Sequence, residues 1–131
     1  MRPLDGVRIL LVEDDDDARE VTRLALEARG AIVVCARDAG EGLTALAAHA
    51  PDVVLADIAM PGTDGHEFLK RVRALPRAKG GRVPAVAITA FGSREDRVTS
   101  REAGFHYHLT KPYDVEKLTE IVSGLVRLTR A

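Results

Sequence analysis

Residues 54–65 read VLADIAMPGTDG, and with Val53 in front they form an apolar run that stops on a carboxylate, Asp57, and then breaks into Met60, Pro61 and Gly62. A short, continuous apolar run bounded by turn residues is the signature of a strand buried on both faces. The carboxylate at its end is the feature to explain. A strand of a parallel sheet delivers its last side chain to the sheet's carboxyl edge, where ligands bind in open α/β folds.

The rest of the chain repeats the pattern. Ile9 to Val12, Ile32 to Cys35, Val53 to Leu55, Val83 to Ile88 and a weaker stretch from His106 to Thr110 read as strands, the first four buried on both faces. Helical spacing fills the gaps. Val21, Leu24, Ala25 and Ala28 fall on one face of a first helix closed by Gly30. Asp38 with Glu41 has capping-box spacing ahead of Leu43, Leu46 and Ala47, and Asp64 with Glu67 repeats it ahead of Phe68, Leu69, Val72 and Leu75. Ser93 with Asp96 opens a fourth helix ended by Gly104, and Asp114 opens a fifth with Leu118, Ile121, Val122 and Leu125 as its stripe. Arg77 to Arg82 reads as a loop. Five strands alternating with five helices predict a doubly wound α/β parallel sheet with right-handed crossovers.

The fourth helix is expected to differ from the others. Between Arg94 and Ala103 its clear apolar residues are Val98 and Ala103, so it buries little area and should be the element that shifts or opens locally.

Length and composition bound the function. At 131 residues the chain is read as a single domain, 1–131, with 46% hydrophobic and 30% charged residues. A net charge of −1 gives no global attraction to nucleic acid or an anionic membrane, and no stretch has the length of a membrane span. Cys35 is the one cysteine, which excludes an internal disulfide and reads as a small core residue; an intracellular, cytoplasmic home is expected. His66, His106 and His108 lack the spacing of a metal site. Asp15, Asp16 and Asp17 read as acids favoured at a helix N-terminus, and Arg71, Arg73, Arg77, Lys79 and Arg82 as solvated charges.

In a parallel sheet Glu13 and Asp14 come directly after the first strand, Asp57 ends the third, Thr89 the fourth and Lys111 the fifth, so all five side chains meet at one edge. Three neighbouring carboxylates repel unless a cation intervenes. All-oxygen ligands suit Mg²⁺, which takes one or two carboxylates, waters and a phosphate oxygen. With Lys111 as a second positive group and Thr89 as a hydroxyl donor, the set describes a phosphoryl pocket with Asp57 as nucleophile.

Four segments, LLVEDD (10–15), VLADIAMPGTDG (54–65), AVAITA (85–90) and LTKP (109–112), resemble the signature segments of the response-regulator receiver domain of two-component signalling, in order and over nearly the whole chain. The resemblance implies a flavodoxin-like (βα)5 sheet of strand order 2-1-3-4-5, an order the receiver CheY also exemplifies. It implies a phosphoprotein of a phosphorelay, with Asp57 accepting a phosphoryl group from the phosphohistidine of a sensor histidine kinase or histidine phosphotransfer protein. Asp14 and Asp57 would then ligate Mg²⁺ directly, Glu13 mostly through water and Ala59 through its backbone carbonyl, while Thr89 and Lys111 hold phosphoryl oxygens. Ala59 and Phe91 stand where the family tunes the phosphoryl lifetime; neither activates water, which implies slow to moderate decay. His108 stands where such receivers often carry tyrosine or phenylalanine as the partner of the switching Thr89. FHYHLTKP (105–112) resembles receivers attached to sensor kinases more than those fused to DNA-binding effectors. The implied output surface is the fourth helix, fifth strand and fifth helix, acting on a separate downstream protein.

Two other functions fit less well. A phosphohydrolase with an aspartate nucleophile, as in the haloacid dehalogenase family, wants a second carboxylate two residues after the nucleophile, where this chain has Ala59. An interaction module of receiver fold that is never phosphorylated has no need of the acidic, hydroxyl and lysine positions together. The chain is therefore expected to catalyse no reaction beyond its own phosphorylation and slow dephosphorylation.

Overall fold

The computed structural model describes residues 2–58, 65–90 and 92–130. Five strands, β1 (Arg8–Val12), β2 (Ile32–Ala36), β3 (Val53–Asp57), β4 (Ala85–Thr89) and β5 (Tyr107–Thr110), form one parallel sheet in the order β2-β1-β3-β4-β5. The helices between and after them are α1 (Asp16–Glu27), α2 (Ala39–His49), α3 (Gly65–Arg73), α4 (Arg94–Ala103) and α5 (Val115–Arg130). This is the five-stranded, flavodoxin-like arrangement that the alternating pattern and the motifs imply.

Side-chain alternation along the strands splits the core into two layers. Leu10, Val12, Val54, Ala56, Ala85 and Ala87 face Leu46, Phe68, Leu69 and Val72 of α2 and α3. Ile9, Leu11, Val53, Leu55, Val86 and Ile88 face Leu26 of α1 and Leu118, Ile121, Val122 and Val126 of α5. Phe68 fits its layer because position 42 is glycine: a Cβ there would lie 2.8 Å from the Phe68 ring.

The capping signals largely hold. Asp38 accepts from the Glu41 N–H at 2.8 Å, while Glu41 reaches back one residue further than a capping box requires, to the Arg37 N–H. Ser93 and Asp96 form a complete reciprocal box, and Gly104 ends α4 at φ +112°. Gly30, at φ +99°, closes the turn after α1, and Asp114 accepts from the Glu116 N–H at the start of α5. Asp64 lies outside the described residues.

Four expectations need correction. The face of α1 read as apolar points outward: Val21 is 67% and Leu24 53% exposed, Ala28 is exposed, and Leu26 is the buried anchor. Arg19, Thr22 and Arg23 flank the packed side with polar tips and apolar stems, which hid the true stripe. On α2, Leu46 is buried with Ala39 and Gly42, whereas Ala47 is exposed. The β2 strand is only partly covered, with Ile32 exposed, because it is the edge of the sheet. Finally, Arg73, read as a solvated charge, is half-buried and donates to the carbonyls of Gly104 and Gly81. The small buried area of α4 is as expected: Val98 faces solvent, and the buried residues of that helix are Ser100 and Ala103. A short 3-10 turn, Arg77–Lys79, occupies the loop before β4.

Candidate functional site

The carboxyl ends of β1, β3, β4 and β5 carry the site. Register fixes its spacing: Val12 lies beside Ala56 and Asp57 beside Ile88, so Glu13 and Asp57 end neighbouring strands and Thr89 lies one step past Asp57's partner. Glu13, Asp57 and Thr89 are all buried, and Asp14 and Lys111 are partly exposed. One carboxylate oxygen from each of Glu13, Asp14 and Asp57 lies within 4.8 Å of the other two.

Lys111 bridges two of these acids, its Nζ lying 3.0 Å from Glu13 Oε1 and 3.0 Å from Asp57 Oδ2. Burial draws the ammonium's pKa down, but hydrogen bonds and charge from Glu13 and Asp57 outweigh it and hold the pKa above its ordinary value. Burial pushes the Glu13 carboxyl up and the Asp57 charge adds to this, opposed by the bond from Lys111. The pocket therefore crowds negative charge that one lysine offsets only in part. Its hard, all-oxygen donor set fits a Mg²⁺ ion.

Backbone contacts lock the frame. The Glu13 N–H donates to the Ala36 carbonyl at 3.0 Å and the Lys111 N–H to the Thr89 carbonyl at 2.7 Å. Lys111 is joined to Pro112 by a cis peptide bond. Sequence reading missed two contributors. Arg19 of α1 donates to the Glu13 carbonyl at 3.0 Å, a contact that no local spacing announces. Gly65 starts α3 so close to β3 that an added Cβ would sit 2.6 Å from the Asp57 carbonyl oxygen. Its only signal in the sequence was a glycine closing the segment 54–65.

Of the residues singled out from sequence, Glu13, Asp14, Asp57 and Lys111 meet, and Thr89 ends the adjoining strand. Ala59 and Phe91 lie outside the described residues. His108 lies on β5 beside Ala87, on the sheet face that α3 and α4 cover, and its Nδ1 is 3.0 Å from Ser100 Oγ of α4.

Residues 9–123 match the response regulator receiver domain, and the chain belongs to that family. It is 43% identical over 122 residues to an uncharacterized 14.6 kDa protein in the sodA1 3′ region of Leptolyngbya boryana, covering 93% of this chain and 92% of that one. It is 36% identical to the transcriptional regulatory protein CseB of Streptomyces coelicolor, covering 94% of this chain but 50% of CseB. The chain thus spans about half the length of the named regulators it matches. Among solved structures, the receiver domain of the sensor histidine kinase PA1611 from Pseudomonas aeruginosa, which has a magnesium ion coordinated in its active-site cleft, superposes with a TM-score of 0.85 at 30% identity, covering 93% of this chain and 98% of that domain. The receiver domain of the Francisella response regulator 1452 gives 0.85 at 26% identity, covering 95% and 99%.

No described helix is long and apolar enough to cross a membrane.

Proposed function

We propose that this receiver domain, spanning residues 1–131, accepts a phosphoryl group on Asp57 from the phosphohistidine of a sensor histidine kinase or histidine phosphotransfer protein, in a Mg²⁺-dependent step. The observation that carries the reading is the cluster of Glu13, Asp14 and Asp57 with Lys111 bonded to two of its members.

In this reading an Asp57 carboxylate oxygen forms the O–P bond as the P–N bond of the donor breaks, and the electron pair leaves with the imidazole nitrogen. No redox partner is needed. Lys111, already within hydrogen-bond reach of Asp57, turns toward the equatorial oxygens and offsets their charge. Thr89 supplies a hydroxyl from the neighbouring strand end. Glu13, Asp14 and Asp57 would hold Mg²⁺, with the Ala59 carbonyl as a further ligand; when bound, the ion polarises the phosphoryl oxygens as a Lewis acid.

The product is an acyl phosphate. With Ala59 and Phe91 at the tuning positions its hydrolysis is slow to moderate, and a half-time of seconds for purified phosphoprotein would contradict this. Beyond its own phosphorylation and dephosphorylation the domain turns over no substrate. Its output passes through α4, β5 and α5 to a downstream protein surface in the cytoplasm, and residues 1–131 themselves make no nucleic-acid or membrane contact.

Mass spectrometry after treatment with acetyl phosphate and Mg²⁺ tests the reading. The expected result is one added phosphoryl group on the wild type and none on Asp57→Asn or in the presence of chelator. Equal labelling of both proteins, or of neither, overturns it.

A further inference from the structure

The fourth helix has little apolar surface to hold it down, yet it carries one buried polar joint. Ser100 is 1% exposed, and its Oγ lies 3.0 Å from His66 Nε2 of α3 and 3.0 Å from His108 Nδ1 of β5. A serine hydroxyl has one proton and two lone pairs, so Oγ can donate to one imidazole while accepting from the other. The result is an ordered hydrogen-bonded chain through three elements. His66 also meets Phe105 edge-on, at a centroid distance of 6.3 Å, which seats its ring against the end of α4.

The joint lies close to the phosphoryl pocket in the fold. His108 pairs with Ala87 and Thr110 with Thr89, so His108 and Thr89 occupy the same sheet face, one strand and two residues apart. Only three residues separate Thr89 from Ser93, the cap of α4.

We propose that Ser100 is a positioning residue for the phosphoryl-accepting site: by bridging His66 and His108 it latches α4 to α3 and β5 in the arrangement that has Lys111 paired with the Asp57 carboxylate. The inference rests on the reading of Asp57 as acceptor. A phosphoryl group there places new oxygens beside Thr89 and Lys111. As Thr89 moves to meet them, α4 moves with it and Ser100 parts from at least one imidazole. A released His108 ring has somewhere to go, because it borders a cavity of about 490 Å³ that Ser100, Thr110, Arg97 and Lys117 also line. The latch favours one arrangement over the other, so it sets the affinity of the pocket for a phosphoryl group without touching it.

Beryllofluoride with Mg²⁺, titrated onto the full chain, is the probe. Ser100→Ala is expected to bind it about fivefold more tightly than wild type, the value of one net hydrogen bond. Ser100→Thr, which keeps the hydroxyl, is expected to return toward wild-type affinity. His66→Gln provides a second variant on a half-buried position; its amide preserves the bridge and with it the wild-type affinity. The spectroscopic signature is the imidazole nitrogen resonances: beryllofluoride should shift His66 together with His108 in wild type, and His108 alone in Ser100→Ala. Unchanged or weaker binding by Ser100→Ala, or an undiminished His66 response in it, overturns the latch alone. Failure of wild type to bind beryllofluoride overturns the acceptor reading and the latch with it.

Discussion

The two edges of the sheet are built on opposite electrostatic rules. At the carboxyl edge, Glu13, Asp14 and Asp57 crowd together and share Lys111. At the amino edge, charged and polar groups meet complementary partners. Asp52 accepts from the Arg8 N–H at 2.8 Å, ahead of β3. Arg73 of α3 donates to the Gly104 carbonyl at 2.8 and 3.1 Å and to the Gly81 carbonyl at 3.1 Å, tying down the chain before β4 and β5. His106 Nδ1 accepts from the Ala85 N–H at 3.2 Å. One edge anchors the fold, and the other holds like charges together, a repulsion that a bound cation and an electrophilic phosphorus would relieve under the proposed function.

That contrast can be broken at either edge. The largest effect belongs to the carboxyl edge. Lys111→Met leaves Glu13 and Asp57 without their shared cation, and labelling of Asp57 by acetyl phosphate should slow by about 100-fold, the order lost with one charge-stabilising donor. Stopped labelling with mass-spectrometric readout measures this. The fold should survive, since circular dichroism reports helices that Lys111 does not hold.

At the amino edge the balance reverses. Arg73→Ala deletes the donors to two loop carbonyls and should destabilise by about 2–4 kcal/mol in urea unfolding, typical of losing charged donors to buried carbonyls. Once the protein is folded, the rate at which Asp57 is labelled should stay within about twofold of wild type, a change too small to register as lost transition-state stabilisation.

A smaller effect comes from pH. Burial, reinforced by the charge of Arg73, holds the His106 imidazole below its ordinary pKa. The neutral ring is the form that accepts from Ala85. Its contribution to stability is therefore complete above the unfolded-state pKa and is lost as pH falls through the depressed folded-state value. Unfolding midpoints measured from neutral pH into the acid range should fall more steeply for wild type than for His106→Asn.

The smallest effect, that of Leu24→Ala, tests the corrected face of α1 when set beside Leu26→Ala as its control. Leu24→Ala should change stability by less than about 0.5 kcal/mol, whereas Leu26→Ala, at a fully buried position, should cost about 2–5 kcal/mol. Thermal unfolding of the two variants side by side is sufficient.

Some of these features were legible in sequence and others were not. Strand ends were legible, because apolar runs stop abruptly at Val12, Asp57 and Thr89, and the motifs specify the polar residues placed there. The cap of α4 was legible, because Ser93 and Asp96 act within one turn. The buried face of α1 was not: its packed side includes arginine and threonine, whose apolar portions cover the core while their polar tips reach water. The Ser100 joint was invisible because residues 66, 100 and 108 share no local spacing.

Sequence alone determined the number and type of elements, the parallel sheet and the five residues at its carboxyl edge, since these arise from periodicity, caps and strand termini that act over a few residues. Tertiary structure decided which helix faces are buried, that Lys111 bridges Glu13 and Asp57, that Arg73 ties down the opposite edge and that Ser100 joins two histidines. Such contacts depend on distances between side chains far apart in the chain, which only the packing of helices on the sheet sets.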